Sequence, residues 1–134
     1  MHKQIFVNLP VKSLPASMAF FEAMGYHFNP QFTSEMGASL VLGENLYAML
    51  LTEDFARTFT AKPLVDAKAA TEVLVCLSCE SREEVDALVA KAKAAGASVP
   101  REPQDHGFMY GHGFEDLDGH IWELAYMSGE PPAA

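Results

Sequence analysis

The same order of structural signals occurs twice along this 134-residue chain. Each copy begins with an apolar strand, continues with a serine-capped apolar helix that stops at a glycine, and ends in hairpin-forming strands. The helices are predicted at residues 14–24 and 82–95. An internal repeat constrains the fold more than any single motif does, because each copy is expected to form the same supersecondary unit.

The repeat predicts the fold class and the domain organisation. Each copy has the order β-α-β-β-β, so the chain is predicted to be an α+β protein built from two βαβββ modules. The apolar stripe of each helix must be buried against a sheet, so we expect the helices outside a cupped mixed sheet with a central cavity. Residues 1–134 are assigned to a single domain, with module one at about 4–52, a linker at 53–70 and module two at about 71–127.

The strand predictions follow alternating apolar patterns bounded by turn residues. In the first copy the predicted strands are residues 5–11, 26–32 (interrupted by Pro30), 38–42 and 46–51. In the second copy they are residues 71–79, 97–100, 108–114 and 120–126. The connection at 52–70 is expected to contain a helical turn, because Phe55 and Phe59 are four residues apart.

Residues 114–124 form the most informative local motif. Asp118-Gly119 favours a hairpin turn, since glycine tolerates positive φ and aspartate can bond to its own backbone. The apolar strand after the turn contains one carboxylate, Glu123. A glutamate in such a strand is costly unless a metal, a ligand or a hydrogen-bond donor pairs with it. Glu123 is therefore a candidate metal ligand or general base, or else a structural carboxylate paired with a buried tyrosine or histidine.

Two segments carry a resemblance to a known family. Residues 116–124, D-L-D-G-H-I-W-E-L, resemble the closing motif D-P-D-G-(N/H)-x-x-E-(L/F) of the vicinal oxygen chelate superfamily. Residues 8–11, N-L-P-V, and the helix after them resemble its opening strand and helix. The superfamily includes glyoxalase I, the fosfomycin and bleomycin resistance proteins and the extradiol dioxygenases. The resemblance implies paired βαβββ modules and very often a homodimer.

The resemblance also implies where a metal would bind. In the metal-using members four side chains converge, one from the first strand and one from the last strand of each module. Aligning the two copies puts these positions at Phe6, Ala48, Leu74 and Glu123, of which only Glu123 can be a ligand. A stable divalent site needs about three protein ligands or more. No family-type metal site and no cofactor are therefore expected; a divalent metal held by other residues is disfavoured but stays open.

An aromatic strand supplies the remaining site candidates. His106, Phe108, Tyr110 and His112 would share one face of a strand. Tyr110 is predicted to face the cavity and, with Glu123, to be a candidate catalytic residue. The competing interpretation is a surface strand with exposed histidines. The full set of predicted cavity residues is Phe6, Asn8, Ala48, Leu74, Phe108 and Tyr110.

Composition narrows the classes of partner and location. The net charge is −9 and no Lys/Arg cluster occurs, so no nucleic-acid partner is expected. No stretch is apolar and long enough to span a membrane and the start lacks a signal-peptide pattern, so we expect a cytoplasmic protein with no membrane partner. Cys76 and Cys79 would point to opposite faces of a strand, so they are interpreted as free thiols.

Three function hypotheses follow. The first is a protein that binds a small organic molecule in the cavity between the sheets, without a family-type metal. The alternative is a metal-dependent lyase, isomerase or dioxygenase of the same superfamily that acts on a small metabolite; whether the protein is an enzyme stays open. The third is a dimeric interaction module. A homodimer is predicted, since sheet edges and apolar residues such as Phe55 and Phe59 need a partner to cover them.

Overall fold

A computed structural model describes residues 1–130, in two compact units: Met1–Val65 and a second unit that begins at Asp66. The first unit contains β1 Ile5–Val11, α1 Leu14–Ala23, β2 His27–Asn29, a 3₁₀ turn at Pro30–Phe32, β3 Gly37–Gly43, β4 Leu46–Thr52 and α2 Glu53–Ala56. The second contains β5 Leu74–Ser78, α3 Arg82–Ala94, β6 Gln104–Asp105, β7 Met109–Glu115 and β8 Ile121–Met127. The predicted α+β fold with two βαβββ modules is confirmed.

Each unit has one four-stranded mixed sheet with the same topology. The strand orders are β1-β4-β3-β2 and β5-β8-β7-β6. The first strand of each unit pairs in parallel with the last strand of its sheet, and the other pairs are antiparallel. The first and last strands are therefore neighbours in each unit, and their side chains share a face in register.

Serine caps and glycine stops define both main helices as the sequence predicts. The Ser13 hydroxyl accepts a hydrogen bond from the Ala16 backbone N–H at 3.3 Å, and the Ser81 hydroxyl accepts one from the Glu84 N–H at 3.0 Å. Such caps satisfy backbone donors that have no partner inside the helix. Glycines with positive φ follow the two helices at residues 25 and 96.

The core of each unit lies between its helix and one face of its sheet. In the first unit Phe21 of α1 and Leu40 and Leu50 of the sheet are at most 1 % exposed. In the second unit Val85 of α3 and Trp122 of β8 are equally buried. The opposite face of each sheet, called here the open face, is not packed against α1 or α3; in the first unit it is partly buried at Leu51, next to the short helix α2. Apolar side chains on it are exposed, for example Phe6 at 51 % and Leu74 at 50 %.

Two predicted strands differ from the structure. Only residues 27–29 of the predicted 26–32 strand are extended, because Pro30 begins a 3₁₀ turn that is capped by the Asn29 side chain. The predicted strand at 97–100 is reduced to a single bridge between Ser98 and Glu115, and the edge strand forms later, at β6. Prolines at positions 100 and 103 lack the backbone donor that a continuous strand needs.

None of the helices in residues 1–130 has both the length and the apolar character needed to cross a bilayer.

Candidate functional site

A cavity of about 540 Å³ lies on the open face of the second sheet, and every residue that lines it belongs to the second unit. Its floor follows the alternation of the strands: the odd-numbered residues of β7 and those at 121, 123 and 125 of β8 line it, while the side chains of Phe114, Trp122 and Leu124 are buried on the helix side. One wall is formed by the segment from Pro100 to His106. The volume is within the range of small-molecule sites.

Glu123 rises from the middle of this floor. It is half-buried on β8, in register with Cys76 of β5 on one side and Gly113 of β7 on the other. None of the other residues in 1–130 forms a hydrogen bond or ion pair with its carboxylate. The next open-face residues of β5 and β8 toward the strand starts, Leu74 and Ile121, are apolar and line the same cavity. The carboxylate is therefore available to a ligand that brings a hydrogen-bond donor.

The Cys76 thiol is the nearest polar neighbour of Glu123 in the register. Partial burial raises the pKa of Cys76, and the negative charge of Glu123 raises it further, because both disfavour a thiolate. Cys79 lies outside the cavity lining, and burial together with the Glu84 carboxylate raises its pKa to about 11. Both cysteines are free, as predicted, and both are poor nucleophiles at neutral pH.

The turn before β8 is held by the buried Asp116. Its carboxylate accepts hydrogen bonds from the backbone N–H groups of Asp118 and His120, each at 3.0 Å, and from the indole N–H of Trp122 at 2.9 Å. Gly119 completes the turn with φ +93°, and a Cβ at that position would lie 2.7 Å from the backbone nitrogen of Lys68. The motif 116–124 thus sets where β8 starts and which face Glu123 occupies.

A surface clamp holds the loop wall of the cavity against α3. Arg82 donates to both carboxylate oxygens of Asp105, at 2.7 and 3.2 Å, and lies 5.0 Å from the centre of the Tyr110 ring. The hydrogen bonds from Arg82 hold the pKa of Asp105 at about 2. Tyr110 donates to Asp86 of α3 at 2.6 Å, which raises the pKa of its phenol. The clamp fixes Asp105 directly beside His106, a cavity residue.

Tyr110 and Phe108 are not among the residues that line this cavity, and Tyr110 lies on the helix side of the sheet rather than on the face for which it was predicted. Tyr110 pairs with Tyr126 on the face of β7 that points to α3, where its hydroxyl meets Asp86. Phe108 is half-buried just before β7, and its carbonyl accepts from the backbone of Ser128. The strand was predicted correctly, but its aromatic face is the helix side. Among the predicted histidines, His106 and His112 do border the cavity, with the His112 ring nitrogen 2.8 Å from the Arg101 carbonyl.

None of the predicted site residues of the first unit is among the residues that line this cavity. Phe6 and Asn8 are on the open face of β1, where the Phe6 ring stacks on Tyr47 with centroids 5.1 Å apart. Ala48 is fully buried on the helix side of β4, which corrects its place in the cavity set. The neighbouring Met49, which pairs with Asn8, takes the open-face position. The predicted cavity between the two sheets stays a prediction.

The donor set does not fit a divalent metal. After the correction, the four implied positions are Phe6, Met49, Leu74 and Glu123, and they offer one carboxylate and a weak thioether. Within residues 1–130, no three His, Cys, Asp or Glu side chains come together as a potential metal site. Cys76 adds one donor beside Glu123, still fewer than a stable site requires. Catalytic roles for Glu123 and Tyr110 stay predictions.

Three features of the site were not predicted from the sequence: Cys76 as a lining residue, the loop wall at 100–106, and the glycines at 111 and 113. The sequence did contain a signal for the two glycines. Glycine at alternate positions of a strand leaves one face without side chains. The loop wall carried no comparable signal, since its position depends on the Arg82–Asp105 contact across 23 residues.

The chain has two βαβββ units, each with a mixed four-stranded sheet, and a cavity on the open face of one sheet. These features define the class of α+β proteins with paired βαβββ modules, which the sequence resemblance implied. Comparison with known proteins identifies the family. The sequence signature of the Glyoxalase/Bleomycin resistance protein/Dioxygenase superfamily matches residues 3–124, and the chain belongs to this superfamily. No protein of curated function matches the chain.

Solved structures agree with this assignment. A hypothetical protein, SA1046, from S. aureus is 29 % identical, with a TM-score of 0.80 over 94 % of each chain. A glyoxalase/bleomycin resistance protein/dioxygenase family enzyme from Burkholderia phytofirmans is 18 % identical, with a TM-score of 0.77 over 91 % of this chain and 96 % of that one. The fosfomycin resistance protein FosX from Listeria monocytogenes is 21 % identical, with a TM-score of 0.70 over 98 % and 96 %. The likeness to the last two structures shows the fold of this chain alone.

Proposed function

We propose that the protein binds a small organic molecule on the open face of its second sheet, without a family-type metal. The observation that carries the proposal is the cavity of about 540 Å³ with the unpaired Glu123 carboxylate on its floor. A half-buried carboxylate among apolar side chains gains most from a ligand that supplies a donor. The ligand class that fits is a compact molecule with an apolar body and a protonated amine or similar donor group.

The electrostatics of the lining support the same class. Three glutamates, at positions 102, 115 and 123, border the cavity, against one arginine, Arg101, in the loop wall. The whole chain carries a net charge of −9. These negative charges would repel an anionic ligand and attract a cationic one. A metal-dependent lyase, isomerase or dioxygenase is the alternative, which requires donors beyond Glu123 and Cys76.

Three probes with one ring and different charges test the proposal: benzylamine, benzyl alcohol and benzoate. Each is titrated into ¹⁵N-labelled protein, and the amide shifts of the cavity residues are followed by NMR. We expect benzylamine to bind most tightly and benzoate not to bind. Glu123→Gln should weaken benzylamine by about tenfold, the loss of one charged contact. Glu83→Gln, the same chemical change on exposed helix surface, is the matched control and should have no effect.

Two results would overturn the proposal. One is equal binding of benzoate and benzylamine, or no shift of the cavity amides by any probe. The other is one tightly held transition metal per chain in protein purified without a metal-binding tag, if that metal is lost in Glu123→Gln. The second result would favour the metal-dependent alternative.

We also propose a homodimer, in which a second copy of the chain covers the exposed apolar residues. Large apolar side chains are exposed on both edge strands that begin the units: Ile5 and Phe6 on β1, and Leu74 on β5. Phe59, after α2, is 67 % exposed. An edge strand with apolar neighbours is a template for pairing with another chain, and a second copy offers the same surfaces.

A further inference from the structure

Two glycines, Gly111 and Gly113, lie at the centre of the cavity floor. β7 is an interior strand, and its open-face residues are Met109, Gly111, Gly113 and Glu115. Gly113 pairs with Glu123, and Gly111 pairs with Ala125. The floor beside the carboxylate is therefore bare backbone flanked by one methyl group. Glycine weakens the interior of a strand, so its presence at both positions is a cost to the fold.

The two glycines differ in how a side chain would fit. A Cβ on Gly113 would lie 2.7 Å from the Trp122 carbonyl oxygen, a backbone atom that cannot move aside. A Cβ on Gly111 would meet only the Leu124 carbonyl oxygen, at 3.5 Å, which is an ordinary contact. Neither glycine has the positive φ that would exclude other residues. Close strand packing thus explains Gly113, whereas nothing in the packing of residues 1–130 requires glycine at position 111.

We propose that Gly111 is a specificity-determining residue. Because glycine has no side chain, there is space at this position for the body of the ligand to lie flat against the β7 backbone, next to Glu123. This inference rests on the proposed function and deepens it, because it limits the ligand to one with a flat face, such as an aromatic ring. Any side chain at position 111 would fill the space that the body of the ligand occupies. The donor group would still reach Glu123, two residues along the floor.

The test compares a flat probe with a slim one in the full-length protein. Benzylamine and isopropylamine carry the same charged group, but only benzylamine has a ring. In Gly111→Val we expect benzylamine affinity to fall about tenfold or more and isopropylamine affinity to change less than about threefold. The melting temperature should stay the same or rise, since valine suits an interior strand better than glycine. Gly129→Val, outside the cavity, is the control and should alter neither affinity.

The outcomes separate this inference from the function on which it rests. If the wild-type protein binds neither amine, both are overturned. If the wild-type protein binds and folded Gly111→Val binds benzylamine with unchanged affinity, only the role of Gly111 is overturned. An equal loss of both amines would likewise contradict a role in shape selection. Should Gly111→Val not fold, Gly111→Ala makes the same test with one methyl group, and a loss of about threefold for benzylamine alone is expected.

Discussion

Replacing Asp116 should show how strongly the turn before β8 is held. Its carboxylate is 6 % exposed and accepts three hydrogen bonds, one of them from Trp122, which is 1 % exposed. Asp116→Asn keeps a carbonyl oxygen for the two backbone donors but turns an amide N–H group toward the indole N–H. A buried donor that loses its acceptor costs about 1–3 kcal/mol, more when the acceptor was charged. We expect Asp116→Asn to lower the free energy of unfolding by about 2 kcal/mol.

Asp116→Ala removes all three acceptor contacts and should cost about 3–5 kcal/mol. The turn amides of Asp118 and His120 can regain water, so they contribute less than Trp122 does. Urea unfolding followed by tryptophan fluorescence is the assay, and Trp122 is the only tryptophan in the chain. Asp54→Asn is the matched control: among residues 1–130 this fully exposed carboxylate bonds only to Arg57, so no resolvable change in the free energy of unfolding is expected.

A double-mutant cycle isolates the Asp116–Trp122 contact. Trp122→Phe is combined with Asp116→Asn, and unfolding is followed by circular dichroism, since the fluorophore is lost. A coupling energy of about 1 kcal/mol or more is expected for partners in direct contact. Asp116→Asn within about 0.5 kcal/mol of the wild type, or a coupling energy near zero, would refute the argument that this bond holds the turn.

The pH dependence of the same variant has a defined sign. Burial raises the pKa of Asp116, although the bonds from Trp122 and the turn amides oppose it. A carboxyl group that binds its proton more tightly when folded stabilises the protein at low pH, and this contribution falls as pH rises through the ordinary aspartate pKa toward the raised one. The stability advantage of the wild type over Asp116→Asn should therefore be larger near the acid end of this window than at neutral pH.

Three further predictions use other parts of the structure. Glu123→Gln should speed alkylation of Cys76 by iodoacetamide at mildly alkaline pH, because it lowers the pKa of that thiol, and should leave Cys79 unchanged; equal acceleration of both thiols would contradict the assignment. Arg82→Met should lower the melting temperature, and the difference should shrink as pH falls below the ordinary aspartate pKa toward 2, since Asp105 has a lowered pKa of about 2 and its ion pair stabilises only while charged; the contact of Arg82 with Tyr110 keeps the difference above zero. Light scattering at low micromolar concentration should give twice the chain mass, and a monomer mass would exclude the homodimer.

Local sequence signals were sufficient for most of the fold. The bounds predicted for β1 are those observed, and both helices begin at the positions that Ser13 and Ser81 mark as caps. These features depend on residues within one turn or one strand of each other, so a single sequence contains their cause. The edge strand β6 was missed because its position depends on a distant partner, Arg82, on α3.

The site was harder to predict because side-chain faces depend on register. Aligning the two copies by their turns set Ala48 opposite Glu123, whereas the sheets pair Tyr47 with Phe6 and Ile121 with Leu74. The residue of the first unit that matches Glu123 is Met49, one residue after Ala48. A shift of one residue moves a side chain to the other face of the sheet. The β3–β4 hairpin contains an irregularity between residues 41 and 43. Its strand offset therefore could not be obtained by aligning turn residues.

Each unit separates the residues of its core from the sheet face on which, in the second unit, binding is proposed. In both units, the residues at the centre of the helix side of the last strand are fully buried, as Leu50 and Trp122 are. Most of the open face is free to vary because the core lies mainly on the helix side, with Leu51 of the first unit as an exception. In the first unit it carries the Phe6–Tyr47 stack, and in the second it carries Glu123 beside bare glycine backbone. Changes that alter ligand choice without unfolding the chain should therefore fall on open-face positions of the second unit, whereas the same changes one residue along the strand should unfold it.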